Sequence, residues 1–216
     1  MKADLHNHSY YSDGVLSPSE VVRLASKAGC DLFSLTDHDT TDGIAEAKLE
    51  ADKVSLNLIN GVEISAFWRN MAIHIIGLGV DINNDKLQTG LEHNQELRKN
   101  RAEKIALSLW RSGIKDALEK AQSISGGHML TRTHFAQMLI QEGYCKDMKS
   151  VFRRYLTGKK PGGVRVAWKD FDEVINWIQS AGGMAFIAHP FRYRMTHTKI
   201  KNMIKDFKDS SGDGFE

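Results

Sequence analysis

Ala3-Asp4-Leu5-His6-Asn7-His8-Ser9 decides how this chain is read. In an extended strand, side chains two apart share a face, so His6 and His8 converge as a pair of imidazoles suited to a metal ion. Alone the tripeptide is weak, because nine histidines in 216 residues sometimes fall two apart by chance on a solvated edge strand. Later segments change the odds. Ser12-Asp13-Gly14, Leu35-Thr36-Asp37-His38-Asp39, Gly61-Val62-Glu63-Ile64-Ser65, His74-Ile75-Ile76-Gly77-Leu78-Gly79 and Ala188-His189-Pro190 each place a His, Asp or Glu where an apolar run ends.

Around these segments the chain alternates between two periods. Short apolar runs at residues 3–5, 32–35, 56–64, 73–80 and 184–188 read as buried strands. Helical segments separate them. Ser17-Pro18-Ser19-Glu20 predicts a helix start with a capping box, stopped by Gly29. Thr40 or Thr41 opens a second helix to about Val54, and Asp170 with Glu173 opens another that ends at Ala181-Gly182-Gly183. Such alternation predicts parallel pairing with helices packed outside, and a site at the carboxyl ends of the strands. From about Asp85 to Lys169 the pattern turns helical: Leu91, Leu97, Ile105, Leu109 and Trp110 fit one long amphipathic helix, with shorter helices near 135–141 and 149–156. The predicted organisation is therefore a first part of the main layer at 1–84, a helical insertion at 85–169 and a continuation at 170–216.

Composition bounds the function classes. The net charge of +2, from 29 basic and 27 acidic residues, excludes bulk attraction to nucleic acid or membrane, so any phosphate binding is local. No apolar stretch approaches the roughly 18 residues needed to cross a bilayer, and the N-terminus lacks an apolar leader; the expected location is the cytoplasm. Cys30 and Cys145 form no paired motif, which argues against a disulfide framework or thiolate metal site.

Each candidate has a plainer reading. Asp13 sits in an ordinary Ser-Asp-Gly turn, Asp39 suits a helix N-cap, and His74 suits a neutral core histidine. Asp37 and Asp39 also suit partners that orient the His38 ring. Glu63 follows an apolar strand, where a buried carboxylate demands a metal or basic partner. Taken together, His6, His8, Asp13, His38, Glu63, His74 and His189 are too many ligands for one tetrahedral ion. Two or three divalent metals sharing a bridging Glu63 is the expected arrangement, with metal-activated hydroxide as nucleophile. The imidazole and carboxylate set favours Mn2+, Fe2+ or Zn2+.

The order of these motifs resembles the PHP (polymerase and histidinol phosphatase) family, and within it the branch of nucleoside 3′,5′-bisphosphate phosphatases and the related 5′-to-3′ exoribonuclease. The resemblance spans the chain, including Thr131-Arg132-Thr133-His134-Phe135 and Gly158-Lys159-Lys160-Pro161-Gly162 in the insertion. It implies an α/β fold, a distorted (β/α)7 barrel with a trinuclear site, typically of manganese, that hydrolyses phosphate esters. It also implies a later Ser-Asp-x-His motif, whereas this chain stops at Gly214-Phe215-Glu216. The expectation is a C-terminally truncated barrel, or one that a second chain completes.

Arg132, His134, Lys160 and Arg192 are the candidate substrate contacts, the first two on the strength of the resemblance, Lys160 from its Gly-flanked basic loop and Arg192 from its place just after His189-Pro190. Arg132 offers a bidentate phosphate fork at a helix start, where the plainer reading is a surface ion pair. His134 would bind phosphate or protonate a leaving oxygen, against helix packing; Lys160, against a solvated turn, would reach a second phosphate. Arg192 would clamp the scissile phosphate, while His93, His128 and His197 read as surface residues. The expected substrates are nucleoside 3′,5′-bisphosphates or the 5′ ends of short RNA. Two alternatives stand beside them: a phosphatase for another small ester of the histidinol-phosphate type, and an incomplete metal-binding interaction module.

Overall fold

A computed structural model of the protein describes residues 1–216. They form two compact units: Met1–Asn94 with Trp168–Glu216, and Gln95–Ala167. No helix is long and apolar enough to cross a membrane.

The first unit is a curled sheet of six strands in sequence order: β1 (Ala3–Asp4), β2 (Leu32–Leu35), β3 (Asn57–Trp68), β4 (Met71–Leu78), β5 (Met184–Ile187) and β6 (Gly214–Phe215). It is an α/β half-barrel. β1, β2 and β3 pair in parallel, as do β5 and β6, but β3/β4 and β4/β5 are antiparallel. This corrects the expectation of parallel pairing throughout. The cause is a two-residue hairpin at Arg69-Asn70, where φ is +47° and +64°, the conformation a tight hairpin of this type requires. Arg-Asn lacks the glycine that usually announces such a turn, so β3 and β4 read as separate strands.

Strand alternation then divides the core. Val62, Ile64, Ala66 and Trp68 of β3, Ile73 and Ile75 of β4, and Ala185 and Ile187 of β5 pack under the helices. The opposite, concave face carries Ile76, Leu78 and Ala188, with Leu5, Ile59 and Phe186 against them. Glu63 and His74 fall in the concave-facing register. Helices α1 (Pro18–Lys27) and α2 (Ile44–Lys53) cover β2 through Val22, Phe33, Leu35, Ile44 and Ala47.

α1 begins as predicted: the Ser17 hydroxyl accepts the Glu20 N–H at 3.1 Å and the Ser17 N–H donates to the Glu20 carboxylate at 2.9 Å. α2 starts later than expected, at Ile44 with Gly43 as its cap, so Asp39 and the two threonines precede it. Glu50 on α2 takes Arg23 Nε at 2.6 Å and Lys53 Nζ at 3.0 Å, and these two cations lower its carboxyl from 4.5 to about 2. A depressed carboxyl stabilises the fold above its unfolded value and loses that contribution as pH falls from 4.5 towards about 2. The expected result is that Glu50→Gln lowers the urea midpoint at neutral pH, and that its gap from the parent protein closes across that window.

The long helix α3 (Asp85–Arg111) begins in the first unit and ends in the second. The second unit also holds α4 (Ala117–Ser125), α5 (Arg132–Gln141), α6 (Met148–Val151) and a π-helical turn at Phe152–Leu156. Its own core joins Ile105, Leu109, Phe135, Met138, Leu139 and Leu156. In the first unit α7 (Phe171–Ser180) begins at the predicted Asp170 cap, and α8 (His197–Asp209) follows a Thr196 cap.

Candidate metal centre

Glu63 is the hub of the site. Its residue is 1% exposed, and its two carboxylate oxygens face different histidines. Oε2 lies 2.9 Å from His38 Nδ1, 3.2 Å from His8 Nε2 and 3.3 Å from His6 Nε2. Oε1 lies 2.9 Å from His74 Nδ1 and 3.0 Å from His189 Nε2. Asp13 stands at the margin, 3.9 Å from His8 Nδ1 and 4.0 Å from His38 Nε2. All seven residues named as metal ligands from sequence therefore meet in the first unit.

Local backbone ties explain the convergence. Asn7 and Thr36 bond through both main chain and side chain, Thr36 N–H to Asn7 O at 2.8 Å and Asn7 N–H to Thr36 Oγ1 at 3.1 Å, which extends the β1/β2 pairing past His6. His38 pairs in parallel register with Glu63: Glu63 N–H reaches Asp37 O at 3.1 Å and Asp39 N–H reaches Glu63 O at 2.8 Å. Gly61 allows this approach, since a Cβ there would lie 2.2 Å from Ser34 Oγ and 2.7 Å from Thr36 Cγ2. Gly14 does the same for the Asp13 turn, where a Cβ would meet the His8 carbonyl oxygen at 2.4 Å.

Asp37 and Asp39 serve as anchors. Asp37 accepts the Ser9 N–H at 2.7 Å and the Ser9 and Ser12 hydroxyls at 2.6 Å each. Burial raises its carboxyl, an effect that the Ser12 and Ser9 bonds partly offset. Asp39 accepts the Ser65 N–H, the Ser65 hydroxyl and Asn94 Nδ2, each at 2.8 Å. The two residues beside His38 thus fasten it to the His6–Ser12 segment on one side and to β3 on the other.

Two subsets have the geometry of cation sites: His6, Glu63 and His189, and His8, His38 and Glu63, the ligand atoms of each lying within 4.8 Å of one another. The buried Glu63 Oε2 and His38 Nδ1 sit 2.9 Å apart without the angle of a hydrogen bond, and neither has another hydrogen-bond partner. Two buried atoms this close and without partners are what a cation held between them would satisfy. His6 Nε2 and His8 Nε2 likewise approach to 3.2 Å. Burial alone would raise the Glu63 carboxyl; the surrounding imidazoles, led by His38 and His74, hold it far below the ordinary carboxylate range. The residues present fit divalent ions.

Two contributors went unread in the sequence. Glu216 Oε2 lies 3.0 Å from His6 Nδ1 and accepts the His189 N–H at 2.9 Å. Tyr193 is the second: its hydroxyl accepts the His74 N–H at 2.8 Å, its ring lies 5.4 Å from that of His189, and burial pushes its hydroxyl above the ordinary range. Only Gly214-Phe215-Glu216 as a strand end, and Tyr193 four residues past His189, offered any sequence signal.

The expected substrate contacts divide between the units. Arg192 is exposed in the 3-10 turn Pro190–Arg192, which follows His189 directly and is closed by Arg192 N–H to His189 O at 2.9 Å. In the second unit, the guanidinium of Arg132 lies over the Phe152 ring at 5.7 Å, and burial, then Arg98, lowers its pKa. His134 is buried at the start of α5, where its Nδ1 accepts the Thr131 N–H at 3.1 Å. Lys160 is exposed in the turn after Leu156. Of the three histidines expected on the surface, His93 and His197 are exposed and His128 is half-buried.

The PHP domain profile matches residues 4–212. The chain is 44% identical over 214 residues to a 3′,5′-nucleoside bisphosphate phosphatase of Chromobacterium violaceum, covering 99% of this chain and 75% of that protein. It is 43% identical over 215 residues to a 5′-3′ exoribonuclease of Haemophilus influenzae, covering 100% of this chain and 78% of that protein. A solved structure of an amidohydrolase from Chromobacterium violaceum, with bound sulfate and no metal, matches with a TM-score of 0.94 and 42% identity, over 100% of this chain and 76% of that one.

Proposed function

We propose that this chain, which belongs to the PHP-domain family, is a metal-dependent phosphoesterase acting on nucleoside 3′,5′-bisphosphates and on the 5′ ends of short RNA. The observation that carries this is Glu63: one buried carboxylate whose two oxygens face different imidazole groups, the arrangement of a bridging ligand. The names of the relatives supply the nucleotide, and the sulfate held by the Chromobacterium structure is a tetrahedral oxyanion of the same shape as phosphate.

Divalent cations in these sites, manganese foremost, would supply Lewis acidity to the phosphoryl oxygens and activate water for attack. The chain's own residues do the rest. His6, His8, Asp13, His38, Glu63, His74 and His189 hold the ions. Arg192 follows His189 in a turn that Pro190 fixes, and it steadies the phosphoryl group. Within the second unit, Arg132 and Lys160 offer cations suited to phosphate oxygens. In the same unit His134, with Nδ1 occupied as an acceptor, carries its proton on Nε2, the form that suits a hydrogen bond to a phosphate oxygen. The charge of +2 suits small or short substrates, and the nucleotide pool of the cytoplasm is their proposed source.

Purified protein with added Mn2+ should release inorganic phosphate from adenosine 3′,5′-bisphosphate and mononucleotides from short 5′-phosphorylated RNA, with neither product after chelation. Neither product, although Mn2+ binding is seen by calorimetry, overturns the reading in favour of a metal-binding module.

A further inference from the structure

We infer that Glu216 is a positioning residue of the metal centre: its carboxylate fixes the tautomer of His6 and the backbone of His189, and so sets the donor geometry of the His6, Glu63 and His189 group. The inference rests on reading that group as a metal site. His6 is engaged at both ring nitrogens, Nδ1 at 3.0 Å from Glu216 Oε2 and Nε2 at 3.3 Å from Glu63 Oε2. A carboxylate only accepts, so the ring presents Nδ1–H to Glu216, and once a cation sits beside Glu63 it is Nε2 that is left to ligate. A carboxylate on the far nitrogen both fixes a ligand histidine and raises its basicity.

The same oxygen accepts the His189 N–H at 2.9 Å. His189 has φ +34° and ψ +54°, a left-handed conformation that a residue with a Cβ holds only when its surroundings enforce it. Glu216 is one of those enforcers through the His189 N–H, and the His6 and His189 rings that it joins stack with centroids 5.7 Å apart and 19° between planes. The fold delivers the carboxylate through β5 and β6. Their parallel register, Phe186 with Gly214 and Ile187 with Phe215, and the Glu216 N–H to Ile187 O bond at 3.0 Å bring Glu216 level with Ala188, one residue short of His189. Burial would raise this carboxyl, yet the His189 N–H and the His6 ring leave it lowered.

The test uses the full chain with Glu216→Gln and Glu216→Ala. Long-range 1H–15N spectra of the metal-free protein should show His6 Nδ1 protonated, and in Glu216→Ala a shift of that proton to Nε2, where Glu63 is then the acceptor at hand. Calorimetry should show Mn2+ affinity falling about 10- to 100-fold in both variants, with thermal unfolding little changed. An unaltered His6 tautomer together with parental Mn2+ affinity overturns the inference. A parental protein that binds no Mn2+ overturns the metal reading instead, and the tautomer shift alone still decides the role of Glu216.

Discussion

Glu63→Gln should lower phosphate release by roughly 10³-fold or more, about 4 kcal/mol of transition-state stabilisation. The size follows from geometry. Five imidazoles meet a carboxylate that is 1% exposed, three at one oxygen and two at the other. Glutamine keeps the volume but replaces one acceptor oxygen by an N–H2 group, which turns donor hydrogens towards either the His38 side or the His74 side. Whichever way the amide lies, one cation position loses its anionic ligand and the shared bridge is gone. Metal content should therefore fall along with activity, to at most one ion per chain by elemental analysis after gel filtration. The variant should still fold, because the main-chain bonds of Glu63 to Asp37 and Asp39 do not involve its carboxylate. Full metal content with activity within about tenfold of the parent would sink the bridging role.

The residues that gather around Glu63 were legible in sequence because most of them follow local rules. His6 and His8 lie two apart beside a short strand, Glu63 and His74 take the register opposite apolar neighbours, His189 closes an apolar run and His38 comes three residues after one. Glu216 follows no such rule. It bonds to His6, 210 positions away, and that meeting is set by the pairing of β6 with β5 and the curl of the sheet. The antiparallel β3/β4 pair escaped for a different reason: two positive φ values at Arg69 and Asn70 belong to residues that rarely announce them. α8 was also missed, since a helix whose core face is only Ile200, Met203 and Phe207 among many charges looks like a solvated segment until Val174 and Ile178 are seen beside it in the core. Residue types were thus readable where the chain's own period exposed them, and unreadable where distant pairing did.

Asp39→Asn should destabilise the protein by about 3 kcal/mol, a loss read as a lower urea midpoint with unchanged slope. Asparagine is the informative choice because it separates two properties of this residue. Asp39 has φ +49°, a conformation that asparagine tolerates nearly as well as aspartate, so backbone strain changes little. What changes is acceptor capacity. The carboxylate takes three donors at 2.8 Å, the Ser65 N–H and hydroxyl and Asn94 Nδ2, all from residues that are 0% or 1% exposed. An amide has one oxygen: placed as Oδ1 it keeps the Ser65 N–H and Asn94 Nδ2 but takes the acceptor from the Ser65 hydroxyl proton, and turned round it sets an N–H2 group against both nitrogen donors. The damage should reach the metal centre, since Asp39 N–H also holds the Glu63 carbonyl and the segment it anchors carries His38. Mn2+ affinity should drop even though Asp39 is not among the proposed ligands. A variant as stable as the parent would mean that Ser65 and Asn94 re-partner without cost, and the anchoring role assigned to Asp39 would then fail.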